Sequence, residues 1–175
     1  MDQFLLTAIA SLAVYDTLKT FKFSDISIKW PNDILIKNKK IAGILIENKI
    51  SGKYIKHSIV GIGINVYQKE FPDEIKQRTT SLALESYNFS IELVDLAEII
   101  LQKIKFYMAL TKQSHLIVLK EYNDKLFSKN EKHSYLFEEN IVEGTIIQVE
   151  KDGLLQIEIG KTLHKVDLKS ITYIL

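Results

Sequence analysis

The strongest constraint on the fold is a series of strand-like segments separated by turn residues between positions 26 and 66. In residues 26–30 apolar and polar side chains alternate, which is the period of a strand with one buried face. The Pro-Asn-Asp sequence at 31–33 predicts a turn, because proline fixes φ and the Asn and Asp side chains can close a turn. Further strands are predicted at 34–36, 41–47 and 54–66. The pattern therefore predicts an antiparallel meander in the middle of the chain.

Helical periodicity flanks this meander. Apolar residues three and four positions apart predict a helix over 4–19 and another over 93–108, with Ser90 as the N-cap of the second. A third helix is predicted from 114 to 127. Residues 128–140 are polar and are interpreted as a linker. Four short strands separated by tight turns follow, which indicates a small β-barrel or sandwich at the C-terminus.

Composition excludes several classes of function. The 175 residues suit one domain, or one domain with a small appendage. The net charge of +1 argues against non-specific nucleic-acid binding. The chain has no cysteine, which excludes disulfides and thiolate chemistry, and its four histidines show no metal-ligand spacing. Its apolar runs fall short of the roughly 20 residues that a membrane span requires.

Three segments carry groups suited to chemistry. Lys29 lies on the first strand just before the turn, where a rigidly held cation suits a carboxylate or phosphate ligand, although a lysine in such an alternation more often faces solvent. Gly43 interrupts an apolar strand and indicates a bulge, a close approach of a ligand or backbone, or a tight packing site. The glycines at 61 and 63 are not followed by a third glycine and a helix start, so a dinucleotide-binding loop is rejected.

Four motifs follow one another along the chain. They read Lys-Trp-Pro-Asn-Asp-Ile at 29–34, Lys-Ile-Ala-Gly-Ile-Leu-Ile-Glu at 40–47, Gly-Ile-Gly-Ile-Asn at 61–65 and Thr-Ser-Leu at 80–82. In order and spacing they resemble the central signature of biotin protein ligases. The preceding helix and the C-terminal strands also agree in position with the catalytic-domain helix and the small C-terminal β-barrel of that family.

The resemblance implies an α+β fold. Residues 1–130 would form part of a biotin/lipoate ligase-like catalytic domain, with a mixed β-sheet flanked by helices. Residues 138–175 would form the small C-terminal β-barrel. The implied location is the cytoplasm.

The resemblance also implies a two-step reaction. The carboxylate of biotin attacks the α-phosphate of ATP, giving biotinyl-5′-AMP and pyrophosphate with Mg²⁺. A lysine of the biotin carrier domain of acetyl-CoA carboxylase then attacks the adenylate. No DNA or membrane partner and no metal ligand from the protein are expected. A homodimer is compatible with the resemblance, because family members often associate through the sheet.

Lys29 matches the family lysine that contacts biotin and the reacting carboxylate–phosphate region, so it is the implied catalytic residue. Its charge would offset the negative charge that builds up on phosphorus. The implied substrate-binding residues are Lys29, Trp30, Asn32, Asp33, Gly43, Gly63, Asn65 and Phe71.

Individual roles follow from the same resemblance. Asn32 and Asp33 would hold the turn that aims the lysine. Gly43 would let the biotin ring lie against the sheet, and Asn65 would bind on the adenylate side. Phe71 would pack near the adenine.

The sequence departs from the family pattern at its start. Family members carry a Gly-Arg-Gly-Arg-x-Gly-Arg type loop upstream of the first helix, whereas here Gly43 is the first glycine and Arg78 the only arginine. The chain is therefore expected to lack about the first third of a ligase, and its activity is expected to be weak, complemented or absent. The alternatives are a non-catalytic module that binds a carrier or partner, a degraded remnant or misplaced start codon, and a lipoate ligase relative. The Trp-Pro-Asn-Asp turn and the C-terminal strands favour biotin over lipoate.

Overall fold

The computed structural model describes residues 3–52, 54–168 and 170–174. Helices and strands alternate in blocks along the chain, and the predicted α+β class is confirmed. The elements are α1 (Gln3–Thr20), β1 (Ile26–Lys29), β2 (Asp33–Ile36), β3 (Lys39–Ser51), β4 (Tyr54–Ile64), α2 (Asp73–Lys76), α3 (Leu82–Glu85), α4 (Leu93–Thr111), α5 (His115–Asp124), β5 (Lys132–Phe137), β6 (Asn140–Val149), β7 (Leu155–Ile159), β8 (Thr162–Val166) and β9 (Ile171–Tyr173).

The predicted meander forms a four-stranded antiparallel sheet in the order β1-β2-β3-β4. Helix α1 packs against this sheet on one side and against α4 and α5 on the other. This position explains why α1 is apolar around most of its circumference, since a helix enclosed on two sides has little surface left for water. The fully buried side chains of Leu12, Ile28 and Ile34 lie at the centre of this layered core.

The second sheet has the strand order β8-β7-β6-β5-β9. The interpretation of residues 128–140 as a linker is wrong, because β5 lies within that range and pairs with both β6 and β9. Tyr135 is the one fully buried residue of β5, and the partly or fully exposed Lys132, His133 and Ser134 make the first half of the strand polar. The sheet therefore begins at Lys132 rather than near residue 138.

Two details of the predicted architecture differ from the structure. In the described part of the chain every ladder between strands is antiparallel, and parallel pairing is limited to isolated bridges such as that of Ile28 with Leu126. Among the same residues β8 and β9 are not paired with each other, so the closed barrel is not confirmed. Successive hairpins join β1 to β4 and β5 to β8, which accounts for their antiparallel ladders, whereas β9 returns to pair with β5.

The predicted start is correct for α5, whereas the predicted N-cap of α4 is wrong. Ser114 is the N-cap of α5, and its hydroxyl accepts a hydrogen bond of 3.2 Å from the backbone N–H of Leu116. Ser90 is not the cap of α4, because the extended backbone continues to Glu92, which occupies the N-cap position without a side-chain cap bond. In the described residues no helix has the length and apolarity needed to cross a bilayer.

Asn123 joins the helical layer to the second sheet. Its side-chain amide donates to the backbone oxygen of Val149 at 2.9 Å and accepts from the backbone N–H of Val149 at 2.6 Å. The side chain thus continues the hydrogen bonding of β6 like an additional strand residue. Because Asn123 is buried, its loss would leave two buried backbone groups without partners.

We expect Asn123→Ala to lower the free energy of unfolding by about 2–4 kcal/mol, since each unsatisfied buried group costs about 1–3 kcal/mol. Urea denaturation followed by circular dichroism measures this change. Asn140→Ala is the matched control, because the Asn140 amide bonds to Glu138 at the exposed surface. Equal unfolding midpoints for the two variants would contradict the assigned role of Asn123.

Candidate active site

Four of the predicted site residues form one row across the first sheet. The strand register pairs Lys29 with Asp33, Asp33 with Gly43, and Gly43 with Gly63. Directly opposed residues point to the same face of a sheet, so the row runs across all four strands on one face. Ile28, Ile34 and Ile44 alternate with these positions and point into the core. The row therefore presents one lysine, one carboxylate and two glycines opposite the face covered by α1.

The two glycines of the row differ in the space above them: Gly63 is open and Gly43 is covered. A Cβ built on Gly63 would have only the backbone oxygen of Gly43 nearby, at 4.0 Å. A Cβ on Gly43 would come within 3.3 Å of the Lys40 side chain and 3.4 Å of the Asp33 carboxylate. Gly43 therefore leaves room for an ion pair that lies across the strand, in which the Lys40 ammonium is 2.5 Å from the Asp33 carboxylate.

Charge and burial act together at Lys29. Burial lowers the pKa of the Lys29 ammonium, the Asp33 carboxylate partly offsets this, and the Lys40 and Arg78 cations lower it again. The ring of Tyr173 lies under the ammonium, with 4.9 Å between Nζ and the ring centroid. Three cations around one carboxylate make this end of the row a suitable place for an anionic group.

The turn that follows Lys29 is held from two sides. The backbone N–H of Ile44 donates to the Asn32 carbonyl at 2.9 Å, and the Asn32 side-chain amide donates to the Ile44 carbonyl at 2.5 Å. From the opposite side the Tyr122 hydroxyl donates to the Pro31 carbonyl at 2.8 Å. These bonds hold the backbone next to Lys29 in place.

Trp30 points into the protein rather than along the row. Its side chain is 4% exposed, and its indole N–H donates to the backbone oxygen of Gly153 at 3.0 Å. Gly153 lies in the β6–β7 turn with a φ of +90°, and a Cβ there would come within 2.9 Å of the Phe4 ring. Trp30 thus anchors the turn to the second sheet, and it also lines a cavity of about 370 Å³ between the two sheets.

Asn65 and Phe71 lie outside the row. The Asn65 amide donates to the Thr80 carbonyl at 3.0 Å, which ties the end of β4 to the segment that pairs with Lys40. Phe71 lines a separate cavity of about 660 Å³ together with Thr79. No described contact joins Phe71 to the row.

Sequence reasoning missed three residues near Lys29. Lys40 and Arg78 lower the pKa of the Lys29 ammonium, and the Tyr173 ring contacts that ammonium. None of the three was predicted as a site residue. Lys40 could have been found, because it begins the second motif. Arg78 and Tyr173 carried no signal, since only the folded chain brings residues so distant in sequence together. Among the described residues no cluster of three or more His, Cys, Asp or Glu side chains could hold a metal ion.

The fold and the motif positions are similar to those of biotin and lipoate protein ligases. Residues 2–65, which contain the whole row, match the Biotin/lipoate A/B protein ligase family. The solved structures extend this similarity beyond the matched residues. The apo biotin protein ligase of Aquifex aeolicus superposes with a TM-score of 0.78 and 26% identity, over 98% of this chain and 75% of that one. The same enzyme in complex with biotin and ATP superposes with a TM-score of 0.78 and 25% identity, covering 72% of that chain.

Curated relatives agree with the structures. The bifunctional ligase/repressor BirA of Bacillus spizizenii is 45% identical over 83 residues, which are 46% of this chain and 26% of that protein. The biotin–[acetyl-CoA-carboxylase] ligase of Paracoccus denitrificans is 43% identical over 63 residues, 35% of this chain and 26% of that protein. The chain thus matches about a quarter of the length of these relatives. The predicted resemblance to biotin protein ligases is confirmed.

Proposed function

We propose that this chain carries the adenylation site of a biotin–[acetyl-CoA-carboxylase] ligase. The observation that carries the proposal is the row of Lys29, Asp33, Gly43 and Gly63 on one face of the first sheet. The open position at Gly63, in the same row as the Lys29 cation, suits a planar, uncharged ring that bears a carboxylate on a chain. Biotin has this chemistry, and a structural neighbour of the chain is a biotin protein ligase in complex with biotin and ATP.

In the first step the biotin carboxylate oxygen attacks the α-phosphorus of ATP, and pyrophosphate leaves. Lys29 would bind the carboxylate and the α-phosphate oxygens, whose negative charge increases as the new bond forms. Gly43 and Gly63 would lie under the biotin ring, and Asn32 and Asp33 would keep the lysine aimed.

In the second step the amine of a carrier lysine attacks the acyl carbon of biotinyl-5′-AMP, and AMP leaves. The carrier would be the biotin carrier domain of acetyl-CoA carboxylase. The ring of Phe71 would lie near the adenine, with Asn65 on the adenylate side. Both assignments rest on the family resemblance, because both residues lie outside the row. Phe71 lines the separate cavity.

Mg²⁺ is implied by the resemblance, but the part of the chain that the structure describes holds no cluster of three or more His, Cys, Asp or Glu side chains for it. Magnesium is held by one or two carboxylates together with substrate phosphates. The row contributes one carboxylate, Asp33, which is paired with Lys40. We therefore assign no protein ligands to Mg²⁺ and derive no step from it.

Exchange of labelled pyrophosphate into ATP tests the proposal. The purified chain should incorporate label into ATP only when biotin is present, because the first step is reversible. Lipoate in place of biotin is the control for the related ligase activity. A folded chain that gives no biotin-dependent exchange would contradict the proposal, and exchange that depends on lipoate would reassign the substrate.

A further inference from the structure

Tyr173 of the second sheet contacts the Lys29 side chain. It lies on β9, while Lys29 ends β1 of the first sheet, so the contact joins the two sheets at the candidate site. The ring centroid is 4.9 Å from Nζ. This distance is within the range of about 6 Å at which a cation is attracted to the face of an aromatic ring.

The ring is fixed by its own neighbours. Tyr173 pairs with Tyr135 across the β5–β9 ladder, and the two rings meet edge to face with their centroids 5.2 Å apart. The Phe127 ring lies 6.1 Å away on another side. The Tyr173 hydroxyl is buried and has no hydrogen-bond partner in the described structure. The position of the ring is therefore set by aromatic packing rather than by the hydroxyl.

Lys29 is surrounded by charged groups but is not itself part of a described ion pair. Asp33 forms its ion pair with Lys40, and none of the described ion pairs includes Lys29. Arg78 and Lys40 repel the ammonium, while Asp33 attracts it. An aromatic face stabilises a cation without neutralising it, whereas a carboxylate partner would have to be displaced by an anionic substrate.

We infer that Tyr173 is a positioning residue for Lys29. Its ring keeps the ammonium charged and holds it at the end of the row, and leaves its N–H donors free for the carboxylate and α-phosphate oxygens. This inference rests on the proposed adenylation function. Under this inference a residue of the second sheet positions the lysine that acts in the adenylation step.

Two substitutions separate the ring from the hydroxyl. Tyr173→Phe keeps the ring, and Tyr173→Leu removes it while keeping an apolar side chain. Phe137→Leu is the matched control, because it removes an aromatic ring of the same sheet that contacts His164 and not Lys29. We expect Tyr173→Leu to lower the rate of biotin-dependent exchange about fivefold, the value of one cation–π contact. Tyr173→Phe and Phe137→Leu should keep the wild-type rate.

A spectroscopic measurement tests the contact independently of activity. Reductive ¹³C-methylation labels the lysines, and Lys29 is assigned by the loss of its signal in Lys29→Arg. Its methyl signal should be shifted upfield by the ring in the wild-type chain and in Tyr173→Phe. In Tyr173→Leu the upfield shift should disappear and the pKa of Lys29 should fall, because the ring favours the charged form.

The outcomes separate this inference from the proposed function. An upfield signal without exchange in the wild-type chain would contradict the ligase proposal while supporting the contact. Normal exchange in Tyr173→Leu, or a Lys29 signal without an upfield shift, would overturn the positioning role. If Tyr173→Leu does not fold, an Overhauser effect between the Lys29 methyls and the Tyr173 ring decides: its presence supports the inference and its absence contradicts it.

Discussion

Replacing Lys29 by alanine is expected to lower the rate of biotin-dependent ATP–pyrophosphate exchange by about a hundredfold. Loss of one preorganised charge at a developing oxyanion typically costs about 3 kcal/mol in the transition state. Lys29 is the one lysine of the row, and Lys40, the nearest other lysine in the site, is held 2.5 Å from Asp33. Neither Lys40 nor Arg78 is therefore expected to replace it.

Two further variants make this result specific. Lys29→Met keeps the apolar stem that packs beside Tyr173 and should lose as much activity as the alanine variant, because the charge is the active feature. Lys49→Ala removes an exposed lysine from the far part of β3 and should leave the rate unchanged. Equal rates for Lys29→Ala and Lys49→Ala would contradict the catalytic assignment, provided that wild-type exchange has been measured.

The first sheet could be predicted from sequence because its signals are local. Residues 26–30 alternate with period two, and a Pro-Asn-Asp turn separates them from the apolar residues 34–36, so local rules predict both strands and their connection. The motifs alone do not show which residues of neighbouring strands lie side by side, whereas the strand register does. Lys29, Asp33 and Gly43 become direct neighbours only when β2 pairs with both β1 and β3.

The second sheet and its contacts with the site depend on distant residues. β5 was mistaken for a linker, because the polar residues at its start and on both sides of it outweigh its Tyr-Leu-Phe segment at 135–137. The approach of Tyr173 to Lys29 is set by the pairing of β5 with β9 and by the packing of the two sheets. Neither of these is encoded in a local period, so no motif could predict them.

Trp30 is expected to contribute the largest share of stability among the predicted site residues. Trp30→Ala should lower the free energy of unfolding by about 3–5 kcal/mol, the usual cost of removing a large buried aromatic side chain. This loss is a large part of the roughly 5–15 kcal/mol that stabilises an ordinary domain. Trp30→Phe keeps most of the ring but leaves the Gly153 carbonyl without the indole N–H, which should cost about 1–3 kcal/mol.

Urea denaturation of these variants beside Tyr87→Ala measures the effect, because Tyr87 is 99% exposed and its loss should change stability by less than about 0.5 kcal/mol. Destabilisation by Trp30→Ala no larger than that of Tyr87→Ala would show that Trp30 does not anchor the turn. With the expected result, Trp30 acts as a structural link through which the second sheet fixes the backbone beside Lys29. The adenylation site would then depend on the C-terminal strands for its geometry as well as for the ring of Tyr173.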